Sequence, residues 1–152
     1  MGQLPGETLV QVQAILSGKG QSLITVSEDV KLAEVATTLA KHKIGAVVVR
    51  SETGGVAGIL SERDIIGAIA QAGAASLDQT ASNVMTRDVI TCRPTDDVDV
   101  LMEKMTRGRF RHMPVVDGEA LAGIVSIGDV VKHHVAEVEM EASALKTYLV
   151  AG

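Results

Sequence analysis

The alternation of apolar and polar residues runs through the same order of elements twice. A short apolar run at 23–26 predicts a strand, and residues 32–39 carry apolar side chains at helical spacing. The β-branched run 44–49 predicts a buried strand, 56–60 its hairpin partner, and 64–71 a second helix. The same order returns over 89–92, 98–105, 110–116, 121–125 and the helix that begins at 126. The pattern therefore predicts a mixed α/β (α+β) fold of two β-α-β-β-α repeats.

Two short blocks show that the two halves are copies. LITV at 23–26 returns as VITC at 89–92, and GILSERD at 58–64 returns as GIVSIGD at 123–129. Two unrelated stretches would not keep step over so long a span, so the repeat decides the architecture. The repeated Gly-x-x-Ser-x-x-Asp block also predicts that one site chemistry is built twice.

The remaining segments flank or join the repeats. We divide the chain into an N-terminal extension 1–22 with a helix over 8–16, a first repeat 23–72, a small polar linker 73–83, a second repeat 84–136 and a C-terminal helix 137–152. That last helix continues the one that starts near Asp129. Its apolar face is too long for one repeat to cover, so we expect it to pack on the other repeat or on a second subunit of a homodimer. The face consists of Val131, Val135, Val138, Ala142, Leu145 and Leu149.

Composition removes several classes of function. Hydrophobic residues make up 46% of the 152 residues, enough for a core, and the net charge of −5 disfavours a nucleic-acid partner. Only Phe110 and Tyr148 are aromatic, which is too few for a base-stacking platform. No apolar run approaches the roughly 18 residues of a membrane span, and no signal peptide is evident. With Cys92 as the single cysteine, we expect a cytoplasmic protein without disulfides.

The order of motifs resembles a tandem pair of cystathionine-β-synthase (CBS) domains. The resemblance is carried by the two copies, by VMT at 84–86, by RHMPV at 111–115 and by both Gly-x-x-Ser-x-x-Asp blocks, and it covers roughly residues 9–137. It implies a pseudo-two-fold, non-catalytic module with two clefts, one per repeat, that binds adenosine nucleotides. Such pairs regulate larger enzymes and channels or occur alone. This chain has no room for a catalytic domain, so we expect the pair alone, acting on an unknown regulated protein.

The Ser-x-x-Asp unit has a direct physical interpretation. Ser61 or Ser126 can cap the helix that follows the strand, and the N-terminus of that helix offers a seat for a phosphate. Asp64 or Asp129, one turn in, can accept hydrogen bonds from the two hydroxyls of a ribose, the role that the resemblance implies. The alternative is a purely structural capping box with Asp in place of Glu.

An apolar slot for the base is expected in each copy. Ile24, Val26, Ile44 and Ala46 could supply it in the first, and Ile90, Cys92, His112 and Pro114 in the second, unless these side chains are ordinary core. Pro114 lacks a donor and frees a strand edge, whereas the first copy has Val48 there, which favours the second site. The nucleotide-binding candidates are Ile24, Thr25, Val26, Ile44, Gly45, Ala46, Ser61, Arg63, Asp64, Thr91, Arg111, His112, Met113, Pro114, Ser126 and Asp129.

Basic residues distinguish the two copies. Arg107, Arg109, Arg111 and His112 crowd the second, the first has Lys41, His42 and Lys43, and Arg63 stands where the second copy has Gly128. These cations indicate phosphate contacts, or else a solvated helix end. Because each site has few cations, AMP is the first ligand, with ADP, ATP and NAD(H) as alternatives. A structural dimerisation or adaptor module with vestigial sites is the contrasting function.

Two other groups of residues carry weaker signals. His133, His134 and Glu137 could give a metal-ligand pair on one helix face, but such residues are more often solvated surface, so no metal is expected. Cys92 lies in an apolar strand without an oxyanion-type loop, so we expect no nucleophilic catalysis.

Overall fold

A computed structural model describes residues 10–19 and 23–151 of the chain. The first part of the helix predicted over 8–16, much of the extension predicted over 1–22, and the last residue of the C-terminal helix predicted over 137–152 lie outside the described residues. The elements are α1 (Val12–Lys19), β1 (Thr25–Ser27), α2 (Leu32–His42), β2 (Ala46–Arg50), β3 (Val56–Ser61), α3 (Glu62–Ala72), a 3-10 helix (Gly73–Asp78), α4 (Ala81–Val84), α5 (Val98–Gly108), β4 (His112–Asp117), β5 (Ala120–Ser126) and α6 (Ile127–Ala151).

The first repeat has a three-stranded sheet in the order β1-β2-β3. β1 pairs with β2 in parallel and β2 pairs with β3 antiparallel, with a bulge between Val49 and Arg50. The β-branched run of β2 is buried on both faces, which is why it forms the central strand. α2 covers one face of the sheet with Leu32, Val35 and Leu39. The predicted α/β fold of two repeats is confirmed.

The second repeat departs from the prediction at its first strand. β4 and β5 form an antiparallel hairpin with a bulge between Val115 and Val116, the counterpart of the bulge in β2. The strand predicted over 89–92 is wrong, because only Cys92 pairs, through a single bridge to Val115. The chain turns tightly where the Val89 amide donates to the Arg87 carbonyl at 2.9 Å. Ile90 is 48% exposed, so no core holds the residues before Cys92 in an extended strand.

Each repeat is completed by a helix from outside its own segment. Val12 and Ile15 of α1 lie in the hydrophobic core of the second repeat. In return, Ala81 of α4 and the following Met85 lie in the core of the first. Backbone hydrogen bonds anchor both exchanges: the Val12 amide donates to the Asp96 carbonyl at 2.9 Å, and the Ala81 amide to the Val30 carbonyl at 2.7 Å. The exchange is reciprocal, as the pseudo-two-fold symmetry requires.

The exchange explains the glycine that opens each Gly-x-x-Ser-x-x-Asp block. A Cβ at Gly58 would lie 2.7 Å from both the Met85 sulfur and the Thr86 carbonyl oxygen. A Cβ at Gly123 would lie 2.7 Å from the Leu16 Cδ2 atom. Leu16 and Met85 thus take equivalent places over the two blocks. Each glycine leaves room for the crossing segment that completes its repeat.

The long helix α6 has two apolar or partly apolar faces. Val130 is fully buried where α6 packs on α5, within the core of the second repeat. The neighbouring face is left open, with Val131, Val135, Val138, Leu145 and Leu149 between 44% and 68% exposed. Among the described residues, no helix has the length and apolarity that a membrane crossing needs.

Replacing Gly58 with alanine should destabilise the fold more than replacing Gly123. Neither glycine has a positive φ, so only the contact of the added methyl group matters. At Gly58 that methyl group meets a backbone oxygen that cannot rotate away, which should lower the free energy of unfolding by about 1–3 kcal/mol. At Gly123 it meets the mobile end of Leu16. Urea unfolding of both variants measures the difference, and a larger loss for Gly123→Ala would contradict the account.

Candidate functional site

Both Ser-x-x-Asp blocks form capping boxes in the structure. At the start of α3, the Asp64 amide donates to Ser61 Oγ at 3.4 Å, and the Ser61 amide donates to Asp64 Oδ2 at 2.9 Å. At the start of α6, the Asp129 amide donates to Ser126 Oγ at 3.2 Å, and the Ser126 amide donates to Asp129 Oδ2 at 3.0 Å. The capping interpretation is therefore confirmed for both blocks. In both boxes it is Oδ2 that accepts the capping bond.

Two clefts contain these carboxylates. The first, here called the Asp64 cleft, has a volume of about 420 Å³ and is lined by Gly45, Ile59, Ser61, Glu62, Arg63, Asp64, Thr86, Arg109, Phe110, Arg111 and His112. The second, the Asp129 cleft, has a volume of about 350 Å³ and is lined by Leu16, Lys19, Leu23, Ile24, His42, Lys43, Ile44, Gly45, Ala46, His112, Ala122, Gly123, Ile124, Ser126 and Asp129. Volumes of this size can hold a small ligand.

Each cleft takes its two walls from different repeats. Asp64 of the first repeat faces Arg111 and His112 of the second. Asp129 of the second repeat shares its cleft with Ile24 and Ile44 of the first. Two clefts between the repeats, one for each Ser-x-x-Asp block, are as expected. The expectation that each aspartate is grouped with the strand residues of its own copy is wrong. The reciprocal exchange of α1 and α4 holds the repeats side by side. As a result, the first turn of α3 faces the residues that lead into β4, and the first turn of α6 faces the residues that lead into β2.

Several candidate residues lie outside both clefts. Thr25 and Val26 line a separate depression beside Arg50, and Thr91 lines another beside Cys92. Met113 and Pro114 are buried in β4, where the Pro114 carbonyl accepts the Cys92 amide at 3.0 Å. The structure brings together Ser61, Arg63, Asp64, Arg111 and His112 in the Asp64 cleft, and Ile24, Ile44, Gly45, Ala46, Ser126 and Asp129 in the Asp129 cleft.

The two clefts differ in the kind of basic residue that lines them. Arg63, Arg109 and Arg111 line the Asp64 cleft, and Arg109 ends α5 in the left-handed conformation with φ of 56°. Lys19, His42 and Lys43 line the Asp129 cleft. Arg107 instead pairs with Glu103 at 2.6 Å on an exposed helix face, which confirms the solvated-helix interpretation for that residue. The Asp64 cleft is therefore the one with the arginine cluster.

Lys19 is the main residue that sequence reasoning missed. Its Nζ lies 2.8 Å from Asp129 Oδ2 and donates to the Ile124 carbonyl at 3.1 Å. Burial opposes ionisation of Asp129, but the hydrogen bonds from Lys19 and Ser126 outweigh it and hold the pKa of Asp129 below its ordinary value of 3.8. Lys19 is the last residue of α1, and the sequence stretch Gly18-Lys19-Gly20 has no counterpart after Thr86. That insertion was the available signal.

Two ring side chains lie in or between the clefts. His112 borders both clefts, and burial lowers its pKa from the ordinary 6.5 despite the opposing charge of Glu62. The imidazole is therefore neutral at neutral pH and can both donate and accept a hydrogen bond. Phe110, one of the two aromatic residues, lines the Asp64 cleft. It gives that cleft an apolar surface that was not foreseen.

Cys92 is a structural thiol. It is almost fully buried, and burial, with a smaller contribution from Asp96, raises its pKa to about 12. The group is protonated at neutral pH, and a thiol is a poor nucleophile in that form.

Substituting Asp129 by asparagine should lower the free energy of unfolding only at pH values at which the carboxylate is charged. Because the folded-state pKa is depressed, this stabilisation is present above pH 3.8 and disappears as the pH falls through the folded-state value. Urea unfolding should show that Asp129→Asn is less stable than wild type at neutral pH. The difference should shrink as the pH falls below the pKa of Asp129 in the folded state. Lys19→Met should behave alike, since it removes the same ion pair. A loss that does not change with pH would contradict the assignment.

Comparison with known proteins places this geometry in a family. The model of the CBS domain matches residues 20–71 and again 81–136. The crystal structure of a CBS-domain containing protein from Agrobacterium tumefaciens matches with a TM-score of 0.78 and 49% identity, over 87% of this chain and 98% of its own.

Two further solved structures contain adenosine ligands. A CBS domain pair in complex with 5′-methylthioadenosine and S-adenosyl-L-methionine matches with a TM-score of 0.76 and 30% identity, over 86% of this chain and 99% of its own. A CBS domain protein from Pyrobaculum aerophilum, complexed with AMP, matches with a TM-score of 0.71 and 33% identity, over 79% of this chain and 89% of its own. With two family matches in tandem and solved relatives of the same fold, the chain belongs to the CBS-domain family, as a CBS pair.

Proposed function

We propose that this CBS pair is a regulatory, non-catalytic module that binds an adenosine nucleotide, AMP first, in the Asp64 cleft. One observation carries the proposal: a carboxylate at a helix start and three arginines line the same cleft. The carboxylate suits the hydroxyls of a ribose, and the arginines suit a phosphate. The two ends of a nucleoside monophosphate thus find complementary groups within one volume of about 420 Å³.

The ribose end rests on Asp64. Its Oδ2 accepts the Ser61 amide and hydroxyl, at 2.9 and 3.1 Å, which fixes the carboxylate at the cleft wall. In the described part of the chain, the other oxygen, Oδ1, accepts no hydrogen bond and remains for the ligand. Charge-assisted hydrogen bonds from ribose hydroxyls are worth about 1.5–3 kcal/mol each, so Asp64 would contribute a large share of the affinity.

The phosphate end rests on Arg63, Arg109 and Arg111. All three are exposed at the cleft, so their guanidinium groups are accessible to an anion. The N-terminal, positive end of the α3 dipole lies beside Arg63 and also favours an anion such as a phosphate. Phe110 and the neutral His112 complete the wall, one as an apolar surface for the base and the other as a hydrogen-bond partner.

The Asp129 cleft is proposed as a weaker second site. Lys19 already pairs with the carboxylate there, and a ligand has to compete with that ion pair for Asp129. The adenosine ligands of the two solved relatives support the ligand class. AMP takes precedence over ADP, ATP and NAD(H) because it is the smallest of these ligands and the Asp64 cleft has a volume of about 420 Å³.

Alanine at Asp64 should weaken AMP binding at least about tenfold, since one lost charge-assisted hydrogen bond exceeds the roughly 1.4 kcal/mol that a factor of ten requires. Asp129→Ala is the matched control, because it removes the equivalent carboxylate and capping bond from the other cleft. Isothermal titration calorimetry should show the strong site intact in Asp129→Ala. Loss of the strong site in Asp129→Ala alone, or undiminished AMP affinity in both variants, would contradict the proposal.

Arg111 should separate the phosphate from the nucleoside. Arg111→Ala should weaken AMP severalfold and leave the affinity for adenosine unchanged, because only the phosphate contacts the guanidinium. Arg107→Ala serves as the control, since Arg107 pairs with Glu103 away from the cleft. Competition titrations with both ligands give the two ratios. An equal loss for AMP and adenosine would assign Arg111 to the fold or to the base.

We further propose that the chain forms a homodimer through α6. Its open face has alternating spacings of four and three residues, the heptad pattern of a coiled coil, at Val131, Val135, Val138, Ala142, Leu145 and Leu149. The valine and leucine side chains of this face remain between 44% and 68% exposed in one chain. Pairing the same face of two α6 helices about a two-fold axis would bury them. This face of α6, called the α6 seam below, also favours dimerisation as a second function, independent of the clefts.

A charge in the α6 seam should dissociate the dimer. Leu145→Glu places a carboxylate at a seam position, whereas Met140→Glu places one on the opposite, exposed face of the same helix. Light scattering at tens of micromolar should show a dimer for wild type and Met140→Glu and a monomer for Leu145→Glu. A wild-type monomer, or a dimer that tolerates Leu145→Glu, would rule out the seam.

A further inference from the structure

Three metal-ligating side chains meet where α5 packs on α6, away from both clefts. Asp99 lies in the first turn of α5, while His134 and Glu137 lie one turn apart on α6. One donor atom from each lies within 4.8 Å of the other two. His134 Nδ1 is 3.0 Å from Asp99 Oδ1. Of the two neighbouring histidines, His134 belongs to this cluster and His133 does not.

Glu137 is the residue of this cluster that lacks a partner. It is only 7% exposed, yet it makes no hydrogen bond and no ion pair with the part of the chain that the structure describes. Among the described residues no fully buried side-chain oxygen lacks a partner, so the carboxylate oxygens of Glu137 reach solvent. Burial, and next the charge of Asp99, raise the pKa of Glu137 above its ordinary value of 4.5. The charges of Glu137 and Asp99 repel each other, and a cation bound between the two carboxylates would relieve that repulsion.

We propose that Asp99, His134 and Glu137 bind a divalent transition-metal cation, with Zn²⁺ as the best fit. One imidazole nitrogen and two carboxylate oxygens form a donor set that suits zinc and leaves a fourth position for water. Zinc bonds of about 2.0–2.2 Å place the donor atoms roughly 3.3–3.5 Å apart. Donor atoms that now lie up to 4.8 Å apart would have to approach, and His134 Nδ1 and Asp99 Oδ1, now 3.0 Å apart, would have to separate slightly and give up their hydrogen bond. The side chains of His134 and Asp99 are 40% and 55% exposed, so they can make this adjustment by rotation.

Such a cation would have a structural consequence. It would join the first turn of α5 to the middle of α6, just before the exposed half of that helix. It would also neutralise the carboxylates whose charges oppose one another there, including Glu141 and Asp97. The solvent contact of the Glu137 oxygens provides an entry path.

Calorimetric titration of the full, untagged chain with ZnCl₂ tests the site directly. Wild type should bind one Zn²⁺ per chain, and His134→Ala and Glu137→Gln should each weaken it by at least about tenfold, the loss seen even when an outer partner of a metal ligand is removed. His133→Ala, its neighbour on α6, should bind as wild type does. Glu137→Gln keeps the size of the side chain and removes a buried charge, so it is expected to fold.

Co²⁺ provides a second readout that does not depend on stability. Visible ligand-field absorption of bound Co²⁺ should appear in wild type and His133→Ala and be lost in Glu137→Gln. Absence of one-to-one Zn²⁺ binding in wild type would overturn the proposal. So would an affinity in His134→Ala and Glu137→Gln equal to wild type, because Zn²⁺ would then bind elsewhere on the chain.

Discussion

The rest of this structure depends on an exchange of helices between the two cores. The helix α1, which precedes the first repeat, packs in the core of the second, and α4, which precedes the second repeat, packs in the core of the first. Val12 and Ile15 of α1 are fully or almost fully buried among the residues of the second repeat, and Ala81 and Met85 fill the first. Burying one large apolar side chain contributes about 1.5–3 kcal/mol, so neither repeat keeps its stability if the other moves away. The glycines at 58 and 123 exist to admit the crossing segments. The two repeats therefore form one unit with fixed clefts between them.

The same constraint gives the clefts their composition and their difference. Because the start of α3 faces the strand entry of the second repeat, Asp64 shares a cleft with Arg109, Phe110 and Arg111. The symmetric arrangement gives Asp129 the more apolar strand entry of the first repeat and, in addition, the ammonium group of Lys19. Two nearly identical Ser-x-x-Asp blocks thus have unlike surroundings. The two clefts therefore differ in charge and polarity although the motif itself is unchanged.

How much the sequence predicted follows from the range over which each signal acts. The repeats, the buried strand β2 and both capping boxes depend on residues close in the chain, and their periodicity and spacing are explicit. The strand expected at 89–92 failed because Ile90 finds no core, which only tertiary packing decides. Grouping Asp64 with the strand residues of its own copy failed for a similar reason, since a repeat pattern does not say which copy faces which. Lys19 and the meeting of Asp99 with His134 depend on contacts over long stretches of sequence.

A crystal structure of the chain with AMP at saturating concentration tests the central claim most directly, because it shows which groups hold each end of the ligand. The account predicts AMP in the Asp64 cleft, with its ribose hydroxyls on the Asp64 carboxylate of the first repeat and its phosphate among arginines that include Arg111 of the second. AMP bound through residues of one repeat alone, bound in the Asp129 cleft in preference, or absent from both clefts would contradict it.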